Sequence, residues 1–109
     1  MMSIRRPLFL ACVMYLLAAP TLAADDDRTR LDALLKNSPS DVVALVGRRL
    51  ECQHWGGEEP YDAARRAEIL AAVTRLKCGT LGADEEVLRR KYTQLPPVLA
   101  VLDAARALE

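Results

Sequence analysis

The 109-residue sequence has no excess of either charge: 15 Lys and Arg stand against 15 Asp and Glu. A phosphate-binding domain of this size ordinarily carries a basic excess or stripe, so the simplest nucleic-acid-binding reading is excluded. Nor is there an apolar run of about 20 residues, the length that crosses a bilayer as a helix. The longest, Leu8 to Ala19, has 12. Strand-type alternation and repeats of fixed period are missing too, which argues against a sheet or a solenoid. No extended catalytic or phosphate-cradling motif stands out. Aromatic residues make up only 5% of the chain, and its one Trp and one His fall in the same short segment.

What is present begins with an export signal. Arg5 and Arg6 precede the apolar run, Pro20 closes it, and Thr21-Leu22-Ala23 places small residues where signal peptidase requires them. Residues 1–23 therefore read as a signal peptide with cleavage after Ala23. Cys12 is not read as a lipid-attachment site, because Val13 to Leu17 continue the apolar run beyond it. Removal of residues 1–23 leaves a single domain, 24–109, with 13 basic and 15 acidic residues and a net charge of −2. It also leaves two cysteines, Cys52 and Cys78. In an oxidising compartment the default is one intramolecular disulfide, contributing roughly 3 kcal/mol by loop-closure entropy.

Helical spacing dominates residues 24–109. Asp25-Asp26-Asp27 marks the start of a first helix carrying Leu31, Leu34 and Leu35, and Asn37-Ser38-Pro39 stops it. Ser38 is expected to cap a second helix in a capping-box arrangement with Asp41, with Val42, Val43, Val46 and Leu50 buried. Gly56-Gly57 ends that periodicity. A third helix starts near Pro60, presents Ile69, Leu70, Val73 and Leu76, and closes at Gly79 as a left-handed cap. A fourth begins near Ala83, with Asp84, Glu85 and Glu86 in its first turn, and buries Val87, Leu88 and Tyr92. Pro96-Pro97 opens a fifth, with Leu95, Leu99, Leu102 and Ala105 inward. The fold class is all-α, a small bundle of four to five helices.

The cysteines constrain that bundle. In a tight hairpin of helices two and three, Cys78 would lie about 25 Å from Cys52 at 1.5 Å per residue, whereas a disulfide needs Cα atoms within about 7 Å. The segment from Gln53 to Pro60 is therefore expected to be extended or looping.

That segment, Cys52 to Asp62, gathers His54, Trp55, two glycines and three carboxylates. Its pattern, Cys-x-His-aromatic-x-Gly-Glu-x-x-Tyr-Asp followed by an Arg-rich helix and a second Cys, resembles a group of small exported Gram-negative bacterial helical proteins of unknown function. The resemblance spans about residues 50–92. It implies a shared helical domain and, through Cys52 and Cys78, a shared disulfide; it implies no activity or ligand.

His54 and Asp62, with Glu58 or Glu59, are weak candidates for a metal site, since their spacing matches no zinc pattern and an oxidised Cys52 is lost as a ligand. Catalysis by Cys52 and His54, or by His54 and Glu58, is disfavoured: Cys52 and His54, two residues apart, do not face each other on a helix, and a disulfide has no thiolate. Arg65-Arg66 and Arg89-Arg90-Lys91 read as solvated, helix-compatible charge. No cofactor is expected. The leading expectation is a non-catalytic periplasmic or secreted protein that binds another envelope protein, as an inhibitor or immunity factor, through an edge made by Trp55, Glu58, Glu59 and Tyr61. The alternatives are a periplasmic stress chaperone and a small metal-binding protein centred on His54. No nucleic acid and no stable membrane insertion are expected.

Overall fold

A computed structural model describes the backbone of residues 19–109 and the side chains from Asp25 onward. Cys12 and most of the expected signal peptide lie outside the described residues. Five α-helices follow in order: α1 (Ala19–Leu35), α2 (Ser40–Gly56), α3 (Ala63–Arg75), α4 (Leu81–Lys91) and α5 (Pro96–Arg106), with a single 3-10 turn, Cys78–Thr80, leading into α4. The all-α bundle follows from the helical spacing, and no strand occurs among the described residues. Nor is any described helix long and apolar enough to cross a membrane.

The core is made by α1, α2, α4 and α5. Leu31 enters from α1, Val42, Leu45 and Val46 from α2, Leu81 from α4, and Val98, Val101, Leu102 and Ala105 from α5. On α2 and α5 these positions recur at three- and four-residue intervals, one face of a 3.6-residue helix. No α3 residue belongs to this cluster. Ala72 is the one buried residue of α3, so that helix rides outside the core.

Polar ties fix α2 antiparallel to α4. At one end the Asp41 carboxylate accepts from Lys91 Nζ at 2.7 Å and Tyr92 Oη at 2.8 Å. At the other, Arg48 Nη2 donates to Asp84 Oδ2 at 2.7 Å. Next to that tie, Arg49 Nη2 donates to Glu85 Oε1 at 2.8 Å. Glu85 is fully buried, at 0% exposure, and Arg49 nearly so. The second Glu85 oxygen accepts from Arg89 Nε at 3.2 Å and from Arg106 Nη2 on α5. Arg49 also pairs with Glu109, and Arg89 Nη2 lies 2.8 Å from Asp103. Three guanidiniums thus meet three carboxylates where α2, α4 and α5 converge.

Several sequence expectations need correction. α1 begins before Asp25-Asp26-Asp27, which lie inside the helix rather than at its start, and Leu34 is partly exposed while Leu31 is buried. Ser38 does not cap α2: its hydroxyl donates back to Leu34 O at 2.9 Å and closes α1, while the Pro39 carbonyl accepts from Val42 and Val43. Asp41, the expected capping-box partner, is taken by Lys91 and Tyr92. Val43, Leu70, Val87 and Leu95 face solvent. On α4 the helix starts two residues earlier than expected, and the stripe Leu81, Glu85, Leu88, Tyr92 turns inward instead of Val87.

The expected connector at Gln53 to Pro60 is shorter. Residues 53–56 continue α2 beyond Cys52, and the chain leaves helix only between Gly57 and Asp62. The disulfide still closes: one turn past Cys52 and a six-residue connector carry the chain outward, and the 13 residues of α3, about 20 Å at 1.5 Å per residue, bring it back. Cys52 and Cys78 stand with Cα atoms 5.7 Å apart and sulfurs at 2.11 Å. α3 ends by another device than the expected Gly79. Lys77 takes the left-handed conformation, φ 54° and ψ 48°, and no described glycine has positive φ. The turn exposes the Lys77 carbonyl, which accepts from Arg48 at 3.0 Å and from Thr80 Oγ1 at 3.2 Å.

Two predictions follow from this packing. A side chain in the left-handed region costs about 1 kcal/mol that glycine avoids, so Lys77→Gly should raise unfolding free energy by about 0.5–1 kcal/mol. Urea titration should show the midpoint rising with an unchanged slope. The second concerns acid. Burial pushes the Glu85 carboxyl up, but the Arg89 hydrogen bond and the charges of Arg49, Arg106 and Arg89 outweigh it and leave the group below its ordinary 4.5. The Lys91 hydrogen bond lowers Asp41 and the Arg48 hydrogen bond lowers Asp84 in the same direction. As pH falls below about 4.5 the unfolded chain therefore takes up protons that the folded chain refuses, and stability declines. Glu85→Gln, which leaves three arginines facing a neutral amide, should cost about 3 kcal/mol at neutral pH and flatten the acid limb of stability against pH.

Candidate functional site

The segment from Cys52 to Asp62, with the first turn of α3, forms one constellation around Trp55. Trp55 lies in the last turn of α2 and is half-buried. The His54 ring meets it edge-on, centroids 5.5 Å apart and planes at 73°. The Arg65 guanidinium of α3 sits 5.3 Å from the Trp55 ring centroid, within cation–π range.

Arg65 organises the connector. Its Nη2 donates to Glu58 Oε2 and its Nη1 to Glu68 Oε2, both at 2.8 Å. Its backbone N–H donates to Asp62 Oδ1 at 2.7 Å, which makes Asp62 the N-cap of α3. An extended Asp at this position satisfies one of the helix's otherwise open N–H groups. Glu58 also faces His54, Oε1 to Nε2 at 3.4 Å. The Arg65 hydrogen bond holds the Glu58 carboxyl below its ordinary value, and Glu58 with Glu68 pushes the Arg65 guanidinium up.

The four expected edge residues are therefore not equivalent. Glu58 is spoken for by Arg65, and Trp55 is packed against α3. Glu59 is exposed, and Tyr61 at 78% is the most exposed large apolar side chain among the described residues. The Tyr61 N–H donates to the Glu59 carbonyl at 3.0 Å, which gives the connector a local turn. Of the metal candidates, Asp62 is committed to its cap, His54 has Glu58 as its carboxylate neighbour at 3.4 Å, and Cys52 is bonded to Cys78. No group of three or more His, Cys, Asp or Glu converges among the described residues.

Two clefts meet at Trp55. One, of about 480 Å³, opens between α1, α2 and α3 and is lined by Arg28, Leu50, Glu51, His54, Trp55 and Arg75. The other, about 330 Å³, runs along α3 past Trp55, Glu68, Ala71, Ala72 and Arg75. Trp55 and Arg75 belong to both. Sequence reasoning passed over Arg28 and Arg75: they stand 47 residues apart in the chain, and nothing local signals that the disulfide-closed return of α3 brings them to one cleft.

No protein-family model, curated protein or solved structure matches the chain.

Because α3 lies outside the core, the disulfide should matter most there. In a Cys52→Ser/Cys78→Ser variant, amide hydrogen exchange should speed up more in α3 than in α2 and α4, alongside a loss of up to about 3 kcal/mol from loop closure. Equal loss of protection in all helices would contradict a peripheral α3.

Proposed function

We propose that this chain is an exported, non-catalytic protein of the bacterial envelope that binds another protein, acting as an inhibitor or immunity factor of an envelope enzyme. The observation that carries the reading is Tyr61: a large aromatic side chain left in solvent on a connector anchored at both ends. The Glu58–Arg65 ion pair holds one end and the Asp62 cap the other. A partner meeting such a segment has little ordering entropy to overcome, and tyrosine is enriched among residues that dominate binding energy. Glu59 beside it supplies an exposed carboxylate for orientation. Export is supported by the Arg5-Arg6 and apolar-run pattern and by two cysteines at bonding distance. A non-catalytic role is supported by the fate of the candidate nucleophile and base. Cys52 is in the disulfide, and the carboxylate facing His54 is held by Arg65.

The test is capture from Gram-negative envelope extract by the oxidised chain and by Tyr61→Ala. An exposed side chain contributes little to folding, so the variant should keep its thermal midpoint while affinity for the captured partner falls roughly 30-fold, as for a binding hot spot of about 2 kcal/mol. Glu59→Gln should reduce affinity less and mainly at low salt. Capture by Tyr61→Ala equal to that by the parent chain would remove Tyr61, and with it the proposed edge.

A further inference from the structure

The two clefts that meet at Trp55 differ in chemistry. The larger is cationic: it has Arg28 from α1 and Arg75 from α3 against one carboxylate, Glu51, with His54 alongside. Neither Arg28 nor Arg75 is in an ion pair among the described residues. Arg48, Arg49, Arg65, Arg89 and Arg106 all are. A guanidinium without a carboxylate partner keeps its planar set of donors for an incoming oxyanion, and two converging on one cleft favour a carboxylate strongly. The smaller cleft offers the methyl groups of Ala71 and Ala72 beside the Trp55 ring, and its one carboxylate, Glu68, is paired with Arg65. Since Trp55 and Arg75 line both, the clefts form one trough with a cationic end and an apolar end.

We infer that this trough binds an acidic peptide segment of a partner protein, with a Glu or Asp carboxylate between Arg28 and Arg75 and a neighbouring apolar side chain against Trp55, Ala71 and Ala72. Charge complementarity selects this occupant over a basic or purely apolar one, and a bare anion leaves the apolar end unfilled. The inference rests on the protein-binding reading above and deepens it by naming the partner's chemistry. The partner surface at the trough is acidic, although the expected edge, with Glu58 and Glu59, suits a basic one. Glu58 is neutralised by Arg65, and the larger cleft at Trp55 sets two guanidiniums, Arg28 and Arg75, against the single carboxylate of Glu51.

Trp55 is the chain's one tryptophan, so its fluorescence reports on the trough directly. The full chain with its disulfide intact is titrated with the acetylated and amidated peptide Ala-Leu-Glu-Leu-Ala, with its Gln and Lys counterparts, and with inorganic phosphate. The Glu peptide should produce a saturable change in Trp55 emission whose Kd rises with salt. The Gln peptide should bind at least tenfold more weakly, and the Lys peptide not at all. Arg28→Gln/Arg75→Gln should lose at least tenfold for the Glu peptide with an unchanged circular dichroism spectrum, since both side chains are exposed and unpaired. Should that variant fail to fold, the Glu, Gln and Lys peptides on the parent chain decide the question alone. Equal binding of these three peptides, no saturation by the Glu peptide at millimolar concentration, or full affinity in the double variant overturns the inference. Phosphate binding as tightly as the Glu peptide overturns it too, in favour of a free-anion site. The titration needs no native partner. If Tyr61-dependent capture succeeds and the titration fails, the trough falls while the protein-binding reading stands.

Discussion

A single buried carboxylate constrains this bundle more than any apolar contact. Glu85 sits at 0% exposure with guanidiniums from α2, α4 and α5 around it. Apolar side chains pack in more than one register at similar free energy, because burial is non-directional. An ion buried without its partners is costly enough to eliminate every register that separates them. Desolvation offsets much of the attraction within the cluster, so its main effect is to specify how the helices meet. Asp41 with Tyr92 ties one end of antiparallel α2 and α4, and Arg48 with Asp84 and Arg49 with Glu85 tie the other. A slip of either helix breaks all three together.

That arrangement divides the molecule. The specified part is α1, α2, α4 and α5, where the core cluster lies. The chain between Cys52 and Cys78 leaves this scaffold and returns to it, carrying the connector and α3. It is held by the disulfide, by Ala72 and by the Trp55–Arg65–Glu58 group rather than by the core. An excursion closed at its base and braced by one arginine presents side chains without depending on them for folding, and substitutions at Tyr61, Glu59 or the outer face of α3 leave the scaffold's packing intact. The same construction explains why the two cysteines need not lie at facing ends of a tight hairpin.

Much of the fold was legible because helical periodicity and punctuation by Pro and Gly act locally. Five helices, the stop at Asn37 to Pro39, the break after Gly56 and the start at Pro96 can all be read from neighbouring residues. Phase was harder to read. On α5, Leu95 and Leu99 fit a stripe as well as Val98 and Val101 do; only packing against α1 and α2 decides for the valines. In sequence Glu85 is first-turn acidic charge alongside Asp84 and Glu86. Yet two clues were present. Arg49 continues the apolar stripe Val42, Leu45, Val46, and Glu85 falls on the stripe Leu81, Leu88, Tyr92. Charges of opposite sign on the inner faces of two helices signal a buried pair. The left-handed residue offered no such clue: Gly79 is the preferred cap by intrinsic freedom, but Arg48 and Thr80 reach the Lys77 carbonyl and place the turn two residues earlier.

The site shows how tertiary pairing changes the meaning of a charge pattern. Glu58 and Glu59 read in sequence as an acidic edge, because Arg65 lies seven residues from Glu58, beyond the three- and four-residue spacings that bring charges together on one helix. The connector and the Asp62 cap fold that distance away, and Arg65 holds Glu58 at 2.8 Å. Arg75 undergoes the opposite change. In sequence it is an ordinary last-turn cation of α3, favoured by the helix dipole; in the folded chain it shares a cleft with Arg28 of α1. Local sequence thus overstates negative charge around Trp55 and understates positive charge. The electrostatic character of that surface is set by which ions the fold has already used internally.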